Sequence, residues 1–143
     1  MDVHYLPPMD ASEVPLIVFG RFRVSDEQAA SFAADARAAI AVLAARDGFI
    51  DAALGQCVDD AELRTIVTRW TSVGSYRRAL SNPEVKMTAI PFLSLAIDEP
   101  SAFEVVHSRT PQGSVDAVSG LAADAGSIGL GFAAAPVVPP VAT

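Results

Sequence analysis

The sequence predicts an α+β sandwich of the ferredoxin-like type, in which a four-stranded antiparallel sheet carries its helices on one face. Two observations favour this fold. Segments with the two-residue apolar alternation of strands and segments with helical apolar spacing follow one another as strand, helix, strand, strand, helix, strand. In addition, 143 residues with 51% apolar content suit one domain with a single core. The order forms two split βαβ halves.

The first strand is predicted over residues 15–24, PLIVFGRFRV. Alternate residues of a strand lie on the same face of its sheet. One face of this run is apolar and carries Leu16, Val18, Gly20, Phe22 and Val24. The other face mixes apolar and cationic residues, namely Ile17, Phe19, Arg21 and Arg23.

The first helix is predicted to begin after Ser25, which forms a capping box with Gln28. The residues with helical spacing that should face the sheet are Phe32, Ala36, Ala39, Ile40 and Leu43. We expect Gly48 to end the helix in a left-handed cap, because glycine adopts positive φ without a steric cost.

The second half begins with a hairpin of strands over 49–58 and 63–70, joined by the acidic turn DDAE. A second helix follows over 72–80 and ends at SNP, because the residue before proline avoids helical geometry. We expect residues 84–97 to form a short helix and an irregular apolar stretch. The last strand is predicted over residues 102–107.

These predictions divide the chain into three regions. Residues 1–14 form an N-terminal arm, residues 15–107 form the domain, and residues 108–143 form an Ala/Gly/Pro-rich extension. We expect the extension to have weak structure of its own. Its run AGSIGLGFAAAPVV is nevertheless too apolar for a freely solvated tail and should lie on another surface.

Helices on one side of the sheet leave the other face with apolar residues that must also be buried. The simplest solution is a homodimer that associates sheet against sheet. Arg21, Arg23 and Arg69 would then lie at or near the interface and need carboxylate partners such as Asp51 or Glu104.

Charge and composition argue against several functions. A net charge of −7 disfavours nucleic acids and anionic membrane surfaces as partners. The single cysteine, Cys57, excludes an intramolecular disulfide, fits a reducing compartment and is interpreted as a buried structural thiol. We find no signal peptide and no apolar run long enough to span a membrane, so we expect a cytoplasmic protein. Metal-ligand spacing, a phosphate-binding loop and a serine-nucleophile motif are also missing.

Three stretches together resemble a known family. They are LIVFGRFRV, then ARDGFIDAALGQCVDDAELRTIVTRWTSVGSYRRALSNPEV, then AFEVV. Their order, with Gly48 before the hairpin, Trp70 closing the third strand and Tyr76 in the following helix, resembles the antibiotic biosynthesis monooxygenase family over about residues 15–107. The resemblance implies a dimeric α+β barrel with an apolar pocket between the sheet and the helices of each subunit.

The resemblance also implies two kinds of chemistry. Some members oxidise polycyclic aromatic substrates with molecular oxygen and no cofactor, whereas others cleave haem. Haem-cleaving relatives carry a histidine ligand in or just after the second helix and an asparagine on the first strand. Here the corresponding stretch SNPEVKMTAIP has no histidine, and Gly20 occupies the strand position. The sequence therefore disfavours haem cleavage, and we expect neither a metal nor another cofactor.

Trp70 shares a strand face with Thr68, and the resemblance turns this face toward the pocket. Trp70 would stack on a flat ligand that Thr68 orients, or would be a core aromatic that anchors the second helix. Tyr76 or Arg77 would steady a developing enolate, although both are also commonplace helix residues. Phe32, Met87 and Phe92 are assigned to the same cavity or to the ordinary core.

The preferred hypothesis is a cofactor-independent monooxygenase that acts on a flat, acidic, anthrone-like aromatic substrate. Trp70, Tyr76 and Arg77 are its candidate catalytic residues. The sequence offers no evident general base for this reaction. The competing hypothesis is a non-catalytic dimer of the same fold that binds a small apolar molecule.

Overall fold

A computed structural model describes residues 13–119 of the chain. The strands of the main sheet are β1 (Leu16–Arg23), β2 (Phe49–Gln56), β3 (Leu63–Trp70) and β4 (Ala102–Glu104). The helices are α1 (Ala29–Ala44), α2 (Val73–Leu80), α3 (Pro83–Thr88) and α4 (Ile90–Leu93), and a single 3-10 turn over Asp26–Gln28 precedes α1. A separate hairpin is formed by β5 (His107–Thr110) and β6 (Gly113–Asp116).

The main sheet has four strands in the order β2-β3-β1-β4, and each neighbouring pair is antiparallel. This arrangement confirms the predicted α+β fold. The central pair β1 and β3 sets the register, in which Leu16 lies opposite Trp70 and Val18 lies opposite Thr68. These residues therefore share the inner face of the sheet, as the alternation predicted.

The core lies between this inner face and the helices. The sheet contributes Leu16, Val18, Phe22, Ile66 and Trp70 to it, and the stripe of α1 buries Phe32, Ala36, Ala39 and Leu43. The alanines Ala36 and Ala39 are fully buried. Side chains this small let the helix approach the sheet closely, and the larger Phe32 and Leu43 fill the space at either side.

Gly48 has φ +88, but it lies in the turn before β2 rather than at the helix end, because α1 already ends at Ala44. A Cβ atom at this position would lie 2.3 Å from the Cβ of Ser75. Glycine fits this position for two reasons. It adopts the positive φ without strain, and it has no Cβ atom that would clash with Ser75 of α2. The sequence identified the residue and its conformation, while its contact with α2 depends on the tertiary fold.

The outer face of the sheet carries exposed apolar residues, including Phe19 and Phe103, whose rings meet edge to face at 6.2 Å. The arginines of this face have carboxylate partners. Arg69 pairs with Asp51, one of the two carboxylates named as possible partners, at 2.5 Å. Arg21 pairs with Glu99 at 2.7 Å and Arg23 with Asp60 at 2.6 Å. Glu104, the other predicted partner, accepts a hydrogen bond from the Ser119 hydroxyl.

The structure differs from the sequence prediction after residue 100. The last strand of the sheet is only Ala102–Glu104, and His107 begins the separate β5–β6 hairpin. Residues 107–116 thus have regular structure where weak structure was expected, because alternating residues such as Ser108 and Val115 pair across a tight turn that contains Gly113 at φ +145. The apolar run of the extension, and most of the predicted N-terminal arm, lie outside the described residues.

Candidate functional site

A small cavity of about 30 Å³ lies between the sheet and the helices. Its sheet side is formed by β1 and β3, and its helix side by Leu43 of α1, Tyr76 of α2 and Leu93 of α4. The remaining wall is formed by residues from the segment between α4 and β4, namely Ala96, Ile97 and Ser101. A volume of this size holds about one water molecule.

Three side chains with hydroxyl groups line the cavity among otherwise apolar residues, and they are Thr68, Tyr76 and Ser101. All three residues are buried, with 4%, 2% and 8% of their surface exposed. Within the described part of the chain, the Tyr76 and Ser101 hydroxyls make no hydrogen bond to another residue, and neither oxygen is a fully enclosed unpaired atom. Both hydroxyls are therefore open to a water or a ligand oxygen in the cavity.

Thr68 lines the cavity from β3, and a hydrogen bond from Trp70 already restricts the orientation of its hydroxyl. The indole Nε1–H of Trp70 donates to Thr68 Oγ1 at 2.9 Å, and both residues are buried. This bond occupies a lone pair of the threonine oxygen and leaves its own O–H free to donate. Thr68 is therefore set up as a donor toward an acceptor atom in the cavity.

The capping of α2 holds Tyr76 in place. The Ser72 hydroxyl accepts from the backbone N–H of Ser75 at 3.1 Å, and the Ser75 hydroxyl accepts from the backbone N–H of Ser72 at 3.2 Å. This reciprocal pair fixes the first turn of the helix, which carries Tyr76. Burial raises the pKa of the Tyr76 phenol well above its ordinary value of 10.0. The phenol consequently stays protonated and acts as a hydrogen-bond donor.

Trp70 is fully buried and does not line the cavity. Its ring packs edge to face against Phe49 at 5.3 Å and at a tilt against Tyr76 at 5.4 Å. The side chain is therefore held behind the cavity wall by neighbours on β2 and α2. Trp70 contacts two residues that line the cavity, Thr68 through a hydrogen bond and Tyr76 through its ring.

The other predicted site residues fall into two groups. Phe32 and Phe92 form an aromatic cluster with Phe22, at centroid distances of 5.2 Å each, and only Phe22 of the three lines the cavity. Arg77 is exposed on α2, and Met87 is 81% exposed on α3. The structure thus brings Thr68 and Tyr76 together at the cavity, places Phe32 and Phe92 one layer behind it, and leaves Arg77 and Met87 at the surface.

Sequence reasoning missed the cavity residues Gly20, Ala96 and Ser101 as site residues. A Cβ built on Gly20 would lie 3.9 Å from the Cβ of Ala96, so the absent side chain helps to leave the space open. The alternation that put Gly20 on the inner face of β1 was a usable signal. Ala96 and Ser101 had none, because they lie in a segment without periodicity.

The chemistry available in the cavity is hydrogen-bond donation. None of the described residues that line it carries a carboxylate, an imidazole or an amine. The site can therefore stabilise negative charge on a ligand oxygen, but its lining offers no group that abstracts a proton near neutral pH.

A second, wider concavity of about 640 Å³ lies on the outer face of the sheet. Its lining includes Phe19, Phe103, Leu63, Cys57 and the Arg21–Glu99 pair. Cys57 is half-buried just beyond the end of β2, where the sequence had predicted a buried thiol inside a strand. Phe19 lines both this concavity and the inner cavity, so the two are neighbours across the sheet.

Residues 13–119 contain no cluster of three or more histidine, cysteine, aspartate or glutamate side chains arranged to hold a metal ion. No helix within them has the length and apolar character needed to cross a membrane.

Comparison with known proteins gives a family match. The family model described as antibiotic biosynthesis monooxygenase matches residues 15–89, which is more than half of the chain. The matched residues contain β1, α1, the β2–β3 hairpin, α2 and α3, and hence both Thr68 and Tyr76. No curated protein is significantly similar to the chain in sequence.

Several solved structures share the fold. SnoaB, a cofactor-independent oxygenase from Streptomyces nogalater, is 22% identical with a TM-score of 0.56, and the alignment covers 68% of this chain and 97% of SnoaB. A conserved protein from Methanosarcina mazei is 21% identical with a TM-score of 0.54, covering 66% of this chain and 94% of its own. Rv0793 from Mycobacterium tuberculosis is 17% identical with a TM-score of 0.51, covering 64% and 92%. At these identities the likeness is one of fold.

Proposed function

The chain belongs to the antibiotic biosynthesis monooxygenase family, and on that premise we propose that it is a cofactor-independent monooxygenase acting on a flat, anthrone-like aromatic substrate in the inner cavity. The family match and the structural likeness to an oxygenase support the monooxygenase assignment. The substrate class is taken from the family resemblance, and the apolar, uncharged lining with its hydroxyl donors supports it.

One observation carries the proposal. The Tyr76 side chain is buried, its hydroxyl makes no hydrogen bond to another residue in the described part of the chain, and the residue lines the cavity beside Thr68. A donor that stays protonated can stabilise an enolate oxygen without transferring its own proton. The raised pKa of Tyr76 suits this role, because the enolate is then not neutralised by the phenol.

The mechanism follows from the absence of a base in the cavity lining. The substrate loses its acidic C–H proton to water and binds as the enolate, whose oxygen accepts hydrogen bonds from Tyr76 and Thr68. The carbanion transfers one electron to O2, and the resulting substrate radical and superoxide combine to form a C–O bond. The peroxide anion takes up one proton from water, and loss of H2O leaves a new carbonyl. The net change converts a CH2 group and O2 into C=O and H2O.

The protein contributes position and environment in this scheme. An apolar cavity strengthens each hydrogen bond to the anion because water does not compete for the donors. Trp70 holds the Thr68 hydroxyl in its donating orientation, since the indole N–H occupies a lone pair of the threonine oxygen.

We assign the outer face of the sheet to a homodimer interface. The exposed Phe19 and Phe103 and the ring of arginine–carboxylate pairs support this assignment, because an apolar centre with a charged rim is typical of protein interfaces. The cytoplasm is the proposed location, on the basis of the single cysteine.

The test is dissolved-oxygen consumption by the purified full-length protein with anthrone as the reporter substrate. We expect uptake above the spontaneous rate, and a fall of roughly 100-fold in Tyr76→Phe, the cost typical of losing one donor to a developing oxyanion. Thr68→Val should also lower the rate. Thr88→Val makes the same change at an exposed position of α3 and should leave the rate unchanged.

A rate equal to the spontaneous one with anthrone, or an unchanged rate in Tyr76→Phe, would contradict the proposal. The second candidate function is a non-catalytic binding dimer, which the missing base favours. Saturable binding of anthrone without oxygen uptake would support the non-catalytic dimer.

A further inference from the structure

The hydroxyl-bearing residues that line the inner cavity lie on two sides of β1. Thr68 is on β3, which pairs with one edge of β1. Tyr76 lies on the same side, because its ring and the Thr68 hydroxyl both contact Trp70. Ser101 lies beside the other edge of β1, where its backbone C=O accepts a hydrogen bond from the Phe19 N–H at 2.8 Å. The cavity therefore has hydroxyl groups at two ends, which we call the β3 end and the β4 end.

The two ends are too far apart to share one ligand oxygen. Neighbouring strands lie about 4.8 Å apart, so Thr68 and Ser101 are separated by roughly 10 Å across β1. Side chains stand roughly perpendicular to a sheet, so the two hydroxyls keep about this separation. One oxygen accepts from two donors only when these lie within about 5.6 Å of each other, since each hydrogen bond is about 2.8 Å long. A ligand that uses both ends must therefore carry two oxygen atoms on opposite edges.

Ser101 has an unused hydroxyl at the β4 end. The residue lines the cavity and is only 8% exposed. Within residues 13–119 its hydroxyl makes no hydrogen bond to another residue. The hydrogen bond that ties Ser101 to β1 is made by the backbone C=O and not by the side chain. The hydroxyl is therefore not needed to hold this segment against the sheet and is available to a ligand.

Small residues line the cavity on the β4 side of β1. Gly20 has no side chain, and a Cβ atom built there would lie 3.9 Å from the Cβ of Ala96. Ala96 lies in the same segment between α4 and β4 as Ser101, and all three residues line the cavity. This lining leaves the space next to the Ser101 hydroxyl to an atom of the ligand.

The proposed reaction places a second oxygen at this end. In anthrone, the carbonyl oxygen and the reacting CH2 carbon lie on opposite sides of the central ring. When Thr68 and Tyr76 bind the enolate oxygen, the reacting carbon faces the β4 end. Roughly 4–5 Å remains between two ligand oxygens once both hydrogen bonds are subtracted from the separation of the donors. Oxygens on opposite corners of one six-membered ring have about this spacing.

We propose that Ser101 is a catalytic residue, whose hydroxyl donates a hydrogen bond to the oxygen that is added to the reacting carbon. It binds this oxygen first in the peroxide anion and then in the new carbonyl. Ser101 keeps its own proton throughout, and the proton that the peroxide takes up still comes from water. The inference rests on the proposed function for the identity of the reaction.

Ligand binding tests this role without turnover. Anthraquinone carries an oxygen at both ends and anthrone at one, so the two molecules differ at the position assigned to Ser101. Their dissociation constants are measured under nitrogen with the full-length protein. The signal is the fluorescence of Trp70, which is the only tryptophan in the chain and contacts Thr68 and Tyr76. We expect Ser101→Ala to weaken anthraquinone binding roughly two- to tenfold, the factor that one hydrogen bond is typically worth, and to leave anthrone binding unchanged.

Ser94→Ala is the matched control, because it makes the same change at an exposed residue that does not line the cavity. It should leave both dissociation constants at the wild-type values. Unchanged anthrone binding in Ser101→Ala also shows that this variant is folded with its cavity intact. An equal loss for the two ligands, no loss for either, or a wild type that binds neither would overturn the role of Ser101.

Oxygen uptake gives a second readout. Anthrone has no oxygen at the β4 end until O2 has been added, so Ser101→Ala should lower kcat roughly tenfold and leave KM unchanged. The two readouts separate the proposals. Ser101-dependent discrimination between the ligands without oxygen uptake contradicts the proposed function alone. Oxygen uptake with the same kcat and the same binding in Ser101→Ala and the wild type contradicts the role of Ser101 alone.

Discussion

At the scale of single residues, the candidate site depends on the environment of Tyr76. The phenol is buried against apolar side chains, and this burial raises its pKa above the ordinary value of 10.0. A pKa that differs between the folded and the unfolded chain makes the free energy of unfolding depend on pH. The raised pKa of Tyr76 therefore makes the free energy of unfolding depend on pH, whether or not the protein is a catalyst.

The sign of that consequence is set by which state releases the proton. Above about pH 10 the unfolded chain loses the Tyr76 proton while the folded protein keeps it, so stability falls as the pH rises. We expect the wild type to lose about 1 kcal/mol more than Tyr76→Phe between about pH 8 and about pH 11. Urea unfolding of both proteins at the two pH values measures this difference. Identical pH dependence would mean that the phenol ionises equally easily in both states.

At the scale of elements, α2 positions the site because its first turn carries Tyr76. The helix has only eight residues, so its capping contributes a large part of its stability. Ser72 and Ser75 exchange hydrogen bonds at the N-terminus, and Ser75 also contacts the Gly48 turn. The cap thus connects the helix with the entrance to β2.

Removal of this cap should destabilise α2 and so disturb the position of Tyr76. We expect Ser72→Ala to lower the free energy of unfolding by about 1 kcal/mol, since the hydroxyl that accepts the Ser75 N–H is lost. Ser72→Thr retains an acceptor and should lose less. Urea unfolding measures the stability, and Trp70 fluorescence follows the contact with Tyr76. A Ser72→Ala protein as stable as the wild type would show that the cap is not needed.

At the scale of the whole molecule, the two faces of the sheet differ in burial. The inner face is covered by the helices, while the outer face exposes Phe103 at 48% and Phe19 at 41%. Apolar residues next to one another on an open sheet favour association with a partner.

Sedimentation equilibrium tests the homodimer. The wild type should have twice the chain mass of 14.9 kDa, and Phe103→Asp should shift the protein toward the monomer, because a carboxylate would be buried in the interface. Met87→Asp is the control, since it changes an apolar residue that is 81% exposed on α3, away from the sheet. A monomeric wild type, or dissociation in Met87→Asp alone, would contradict the proposed interface.

The fold class, the face of each central strand and the choice of Thr68 and Tyr76 as candidates were predictable from the residues alone. These follow from alternation, helical spacing and a family pattern, which are local or nearly local signals. The sequence also indicated that the arginines need carboxylates such as Asp51, and the structure pairs Asp51 with Arg69 on the same hairpin.

Which candidates meet at the cavity depends on how the helices pack against the sheet. Trp70 lies behind the wall because Phe49 and Tyr76 hold its ring, and Met87 lies at the surface because of the position of α3 against α1. Ser101 and the Arg21–Glu99 pair gave no sequence signal, because the partners are 78 residues apart and one of them lies in an irregular segment. Contacts between distant residues depend on how the elements pack, and no period in the sequence encodes that packing.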